Sequence, residues 1–187
     1  IFLSDISDGM VDEVRTKLGS DFNCIVANAE KIPFKDAYFD TIIANHVLFY
    51  LNDLNQGLKE IDRVLRPNGI FYCSTYGKEH MKEITEIVQN FDSRINLSNH
   101  SLYDIFGLEN GEEILRYYFS NVERMYYEDH LEIIESKPLI DYIMSCHGNQ
   151  NEILGPRLAE FKEYIESLLK ENGKITVTKQ AGLFVCW

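Results

Sequence analysis

The chain reads as an α/β domain built on a mostly parallel sheet, and three observations predict it. Strand-like and helix-like segments alternate from residue 1 to about residue 91. The strand segments are near-continuous apolar runs, as parallel strands covered on both faces require. The connections between them are short, so each strand–helix–strand unit is expected to cross over right-handed.

Each element has a local reason. Ile1 to Ser4 reads as a strand, and Asp5-Ile6-Ser7-Asp8-Gly9 is turn chemistry with helix N-cap residues. Met10, Val14 and Leu18, with Val11 beside them, recur at helical spacing until Gly19. Phe22 to Ala27 is a short strand, followed by a loop over 28–38 that contains Pro33. Phe39 to Asn45 is the next strand. Asp53 caps a helix whose apolar stripe is Leu54, Leu58, Ile61 and Leu65, and Arg66-Pro67-Asn68-Gly69 stops it. Ile70 to Tyr76 is a strand, and Met81, Ile84, Val88 and Phe91 mark a third helix.

The second half is less regular. Helices are expected over 112–119 and 138–146, and from Pro156 through Leu158, Phe161, Ile165 and Leu168. Strands are expected over 122–127, 175–179 and 183–187, the last two separated by Ala181-Gly182. His147 to Glu152 reads as a solvated loop. The division implied is a core at 1–95, a helical cap and substrate region at 96–171 carrying one strand near 122–127, and C-terminal strands of the core at 172–187. The segment 183–187 is expected to run antiparallel at the sheet's edge.

Composition excludes several classes. Of 187 residues, 45% are hydrophobic and 26% charged, which is not the composition of a disordered chain. The longest uncharged apolar stretch, 41–51, is far below the ~20 residues of a membrane-spanning helix. The net charge is −12, with 18 basic and 30 acidic residues. The deficit is spread over both halves, so it is not an acidic tail, and such a surface repels phosphate backbones. The partner expected is therefore a small molecule, neither nucleic acid nor membrane. Cys24, Cys73, Cys146 and Cys186 show no CxxC spacing and read as reduced thiols of a cytoplasmic protein. His80, His100, His130 and His147 have no metal-ligand spacing, so no metal is expected.

Open α/β sheets bind ligands at the carboxyl ends of their strands. Asp5 follows the first strand and can accept hydrogen bonds from ribose hydroxyls, though a helix-cap role is open to it. Met10 can lie on an adenine face or pack as core. Asn28, Ala29 and Glu30 follow the second strand, where an amide and backbone N–H groups can read a base edge; an Asx-turn is the plainer role for Asn28. Asn45 and His46 follow the third strand. His46 can take a proton from an acceptor hydroxyl or amine, or make a structural hydrogen bond. Phe49 and Tyr50 follow it and are placed to meet a substrate. Tyr117, Tyr118, Phe119, Tyr126 and Tyr127 form an aromatic cluster that either lines a pocket or packs as core.

Four stretches then carry a resemblance: Leu3-Ser4-Asp5-Ile6-Ser7-Asp8-Gly9-Met10, Ala27-Asn28-Ala29-Glu30-Lys31-Ile32-Pro33-Phe34, Phe39-Asp40-Thr41-Ile42-Ile43-Ala44-Asn45-His46-Val47-Leu48, and Arg63-Val64-Leu65-Arg66-Pro67-Asn68-Gly69. In this order and spacing, residues 1–77 resemble class I S-adenosylmethionine-dependent methyltransferases of the small-molecule type. The resemblance implies a Rossmann-like fold and S-adenosyl-L-methionine as cofactor. It implies that Asp5 holds the ribose, that Ile6 and Met10 contact adenine, that Asn28 and Ala29 bracket the adenine edge, and that Asn45 lies beside the methionine part. Position 28 is usually Asp in this family, and Asn both donates and accepts.

The family's Gly-rich cofactor loop has no counterpart here, since no two glycines have G-x-G spacing. In the family that loop, with its strand and helix, precedes the segment at 1–4, and the strand sits mid-sheet between 1–4 and 39–45. The first strand and helix are accordingly expected to be missing. Three routes would then satisfy the flanking backbone: an upstream segment, a strand swapped from a second copy in a homodimer, or collapse of the two strands onto each other. The rival readings are a truncated or non-catalytic methyltransferase-like fragment that binds no cofactor, and a nicotinamide-dependent oxidoreductase, against which the Ile-Pro-Phe loop argues.

Overall fold

The computed structural model describes residues 1–98 and 102–187. His100 lies outside the described residues. In chain order the elements are β1 (Phe2–Asp5), α1 (Asp8–Leu18), β2 (Asn23–Val26), β3 (Phe39–Asn45), α2 (Leu54–Val64), β4 (Leu65–Tyr76) and α3 (Lys82–Phe91). They continue with α4 (Leu102–Phe106), α5 (Gly111–Leu115), β5 (Val122–Ile133), α6 (Ser136–Ser145), α7 (Gln150–Leu154), α8 (Leu158–Asn172) and β6 (Ile175–Cys186).

The helix boundaries follow their caps. Ser7 is the N-cap of α1 and accepts the Met10 N–H at 3.4 Å, while Gly19 closes the helix at φ 71°. Asp53 caps α2 by accepting the Gln56 N–H at 3.0 Å, and Leu58, Ile61 and Val64 bury its apolar stripe. The third helix starts one residue later than its apolar spacing indicates, because Met81 adopts a left-handed conformation at φ 57°.

Two compact units divide the chain. One comprises 1–74, 111–125 and 183–187; the other comprises 75–110 and 126–182. The first unit contains the parallel pairing that the sequence predicts, but in two sheets. β1 pairs with β2 in parallel, Phe2 opposite Asn23 through Asp5 opposite Val26. β3 pairs with β4 in parallel, with Thr41 opposite Ile70 through Asn45 opposite Ser74. The Phe2 ring touches the Phe39 ring, centroids 5.8 Å apart, so the starts of β1 and β3 are neighbours. No ladder joins them, and the collapse of one strand onto the other does not occur.

The four-stranded sheet has the order β3-β4-β6-β5. β6 is antiparallel to β5: Asn121 and Trp187 exchange backbone hydrogen bonds at 3.0 and 3.1 Å at one end, and Lys174 pairs with Glu132 at the other. Partners on β6 also descend as β4 rises, from Cys73 beside Cys186 to the Gly77 N–H on the Gln180 carbonyl. The antiparallel direction expected of the C-terminal strand is therefore present, but its edge position is not. β5 is the edge, because the strand expected over 122–127 continues to Ile133 and covers the whole of β6. Ala181-Gly182 does not interrupt β6, since a ladder on either side holds the chain extended through it.

The second unit has its own core. Val88, Ile143, Leu154, Phe161, Ile165 and Val177 are fully buried in one cluster. The expected loop at 147–152 is tied down and partly helical. Asn149 bonds Asn96 twice and donates to the Arg94 carbonyl, and α7 begins at Gln150, which is buried. Gly148 permits this approach, as a Cβ there would lie 1.7 Å from the Asn96 carbonyl oxygen. Asp92 takes a two-pronged bond from Arg94 and another from Arg157, and these cations hold its carboxyl well below the usual carboxylate range.

Candidate active site

The candidate residues lie in the first unit, at the carboxyl ends of its strands. Asp5 ends β1 with an exposed side chain. Its Oδ1 accepts the Ser7 N–H at 2.8 Å, which aims the carboxylate into the turn before α1. The cap itself is supplied by Ser7, so Asp5 is left with a second oxygen that has no hydrogen bond among the described residues. Ile6 and Met10 stand beside it, 67% and 51% exposed, far more open than apolar side chains on a packed helix face. The Ala27 N–H bonds the Asp5 carbonyl at 3.0 Å, which places the end of β2 next to the end of β1.

Asn28 makes an Asx-turn: its Oδ1 accepts the Glu30 N–H at 2.8 Å. That bond assigns the amide orientation, because the Glu30 N–H needs an acceptor. The outward group of Asn28 is therefore its Nδ2, a donor. Ala29 follows in a loop fastened to α2. Glu30 is committed to that fastening, its carboxylate accepting the Asn52 and Asp53 N–H groups at 2.7 and 3.3 Å. Arg63 and Glu60 hold the rest of the loop. Arg63 donates to the carbonyls of Phe34 and Ile32 at 2.9 and 3.0 Å, to Asp36 at 2.7 Å, and to both oxygens of Glu60. The Arg63 guanidinium and the Ile32 N–H together hold the Glu60 carboxyl below its usual pKa, with Arg63 the larger influence.

Asn45 and His46 end β3. Asn45 sits opposite Ser74 in the ladder and accepts from its hydroxyl at 3.4 Å. The His46 N–H is shared between the Ser74 carbonyl and hydroxyl at 3.2 and 3.1 Å. His46 has φ 49°, a left-handed conformation that a non-glycine residue adopts only where its surroundings impose it. The residue is exposed, and partial desolvation lowers the imidazole's pKa, which favours its neutral form. Leu48 and Phe49 turn inward behind it and are buried, leaving Tyr50 68% exposed.

Ser74 is the residue that sequence reasoning missed. It lies inside an apolar strand run, and only the β3–β4 register shows that it meets both Asn45 and His46. Arg63 opens the 63–69 stretch that carries the resemblance, but nothing in the sequence singles out its clamp with Glu60 on the loop. The aromatic cluster does not hold together as expected. Phe119 is core, stacked on Phe71 at 5.5 Å, and Tyr118 bonds Asn55, whereas Tyr117, Tyr126 and Tyr127 are on the surface. An open depression of about 610 Å³, lined by Arg15, Phe22, Asn23 and Cys24 among others, is at the amino end of β2, away from Asp5 and Asn28.

The fold is an α/β domain, and the candidate residues lie along strand carboxyl ends. The comparisons with known proteins agree with the fold. Residues 1–73 match the family described as a methyltransferase domain. The malonyl-[acyl-carrier protein] O-methyltransferase of a Methylovorus species is 23% identical over 172 residues, covering 88% of this chain and 56% of the relative. The ubiquinone/menaquinone biosynthesis C-methyltransferase UbiE of Rickettsia prowazekii is 37% identical over 83 residues, 42% of this chain and 34% of that protein. The mitochondrial arginine-hydroxylase NDUFAF5 of Danio rerio is 34% identical over 86 residues, 45% of this chain and 26% of that protein. The crystal structure of YcgJ from Bacillus subtilis shares the fold, with a TM-score of 0.57 at 15% identity over 98% of this chain and 80% of that one. The chain thus spans between about a quarter and a little over half the length of these curated relatives. Over residues 1–73 the similarity is to methyltransferase domains.

Proposed function

We propose that this protein transfers a methyl group from S-adenosylmethionine to a small-molecule acceptor. The observation that supports it most is the junction of β1 and β2, where an exposed carboxylate, two exposed apolar side chains and a fastened loop meet at one edge. These groups fit an adenosine. Asp5 accepts hydrogen bonds from the ribose hydroxyls, Ile6 and Met10 cover a purine face, and Asn28 with the Ala29 N–H meets its edge. S-adenosylmethionine, when bound, supplies an electrophilic methyl group on its sulfonium. Asn45, with Ser74 behind it, borders the methionine part. The neutral His46 imidazole is suited to accept a proton from the acceptor's hydroxyl or amine. Alignment of acceptor and methyl can supply most of the rate.

The acidic surface favours a small molecule over nucleic acid, and free thiols at Cys24, Cys73 and Cys186, all buried, fit a reducing compartment such as the cytoplasm. Among the described residues no helix is long and apolar enough to cross a membrane. Calorimetric titration with S-adenosylhomocysteine tests the reading. Saturable one-to-one binding supports it, whereas no binding leaves the alternative of a methyltransferase-like fragment without cofactor.

A further inference from the structure

We propose that Arg63 is a positioning residue for the cofactor's base: it sets the path of the 28–37 loop so that Asn28 and Ala29 meet the purine edge in one register. The inference rests on the S-adenosylmethionine site proposed above and adds a residue that touches no cofactor.

Within the loop between β2 and β3 are one isolated bridge, Asn28 with Lys31, and the Asn28 Asx-turn. From outside, Phe34 packs edge-on against Phe2 of β1, centroids 4.8 Å apart, and α2 supplies the polar anchors. All five N–H groups of the Arg63 guanidinium are used: two on the loop carbonyls of Ile32 and Phe34, one on Asp36 and two on Glu60. Glu60 in turn accepts the Ile32 N–H at 2.8 Å, so one ion pair grips both sides of the same loop residue. The pair is partly shielded, with the Arg63 and Glu60 side chains 31% and 14% exposed. One helical turn or two earlier, Glu30 is seated on Asn52 and Asp53, and the Gln56 amide donates to the Glu30 carbonyl at 3.4 Å. The loop is therefore held at stations along α2, and Asn28 and Ala29 come immediately before the first station. Lysine cannot replace this arrangement, because a single ammonium cannot span two carbonyls and two carboxylates in fixed directions.

Wild type and Arg63→Lys are titrated with S-adenosylhomocysteine and S-inosylhomocysteine, at a temperature where circular dichroism shows both fully folded. The expected result is about tenfold weaker S-adenosylhomocysteine binding in Arg63→Lys, as for losing one or two neutral hydrogen bonds from Asn28 and Ala29 to the purine edge. The preference between the two bases is also expected to shrink towards unity, which mere destabilisation of a folded protein does not cause. An unchanged affinity and an unchanged base preference overturn the proposal, while a loss of affinity in Asp5→Ala shows that the cofactor site itself stands. Absence of binding to wild type overturns the site and the proposal together. Should Arg63→Lys fail to fold, Glu60→Gln keeps the shape and loses the charge. It is expected to narrow the preference in the same direction, and an unaltered preference there also counts against the proposal.

Discussion

The second unit and the β1–β3 region of the first keep their apolar side chains in opposite ways, although α2 and β4 of the first unit bury Leu58, Val64 and Phe71 completely. In the second, α3, α6 and α8 bury Val88, Ile143, Phe161 and Ile165 completely against one another and Val177. In the first, the residues around β1, β2 and β3 leave much of theirs open: Phe2 is 38% exposed, Ile43 63% and Ile6 67%. β1 has a hydrogen-bonded neighbour on one side and β3 likewise, so each presents a strand edge as well as apolar surface. The contrast teaches that stability and ligand chemistry are housed separately. The helical core holds itself together with dispersion and area burial, and the site is drawn from the part that packs least.

Substitutions can break or sharpen that contrast. The largest effect is expected from Phe161→Ala. The ring is fully buried and meets Phe91 edge-on at 5.0 Å, so its removal should cost about 3–5 kcal/mol of unfolding free energy by chemical denaturation. A loss under about 1 kcal/mol would mean that the core of the second unit is not packed as described here. Next is Asp5→Ala, expected to weaken S-adenosylmethionine binding by about 1.5–3 kcal/mol in calorimetry while hardly moving the denaturation midpoint. Equal losses in both measurements would erase the separation of roles.

His46 supplies a pH test. Desolvation lowers its pKa, so the folded protein holds it neutral below the ordinary value. The acid limb of kcat/KM against pH should therefore fall with a midpoint below 6.5, and His46→Gln should remove that limb. The sign for stability is the same: the unfolded chain takes up the proton first, so this contribution is lost as the pH falls through 6.5 towards the folded value. A midpoint above 6.5 in a His46-dependent limb would contradict the environment described. The smallest effect is expected from Met10→Ala, within about 0.5 kcal/mol in stability because the side chain is half exposed. Its signature should be weaker S-adenosylhomocysteine binding, and unaltered binding would return Met10 to an ordinary surface residue.

Much of this was legible in the sequence because it depends on local chemistry. The Ser7 and Asp53 caps, the Leu58–Ile61 stripe and the apolar runs of β3 and β4 each act within a few residues, where periodicity and capping report directly. Asp5, Asn28 and Asn45 could be singled out because strand ends are visible as the points where apolar runs stop. Tertiary structure decided what depends on partners distant in sequence. It placed β6 inside the sheet and β5 at its edge, since ladder order is set by which strands can exchange hydrogen bonds along their full length. It turned Glu30 from a candidate ligand contact into an anchor for Asn52 and Asp53, and aimed the Asn28 amide outward by occupying its oxygen. It joined Arg63 to carbonyls about thirty residues away. A side chain's type states which bonds it can make, and only the folded chain's geometry selects the partner with which it makes them.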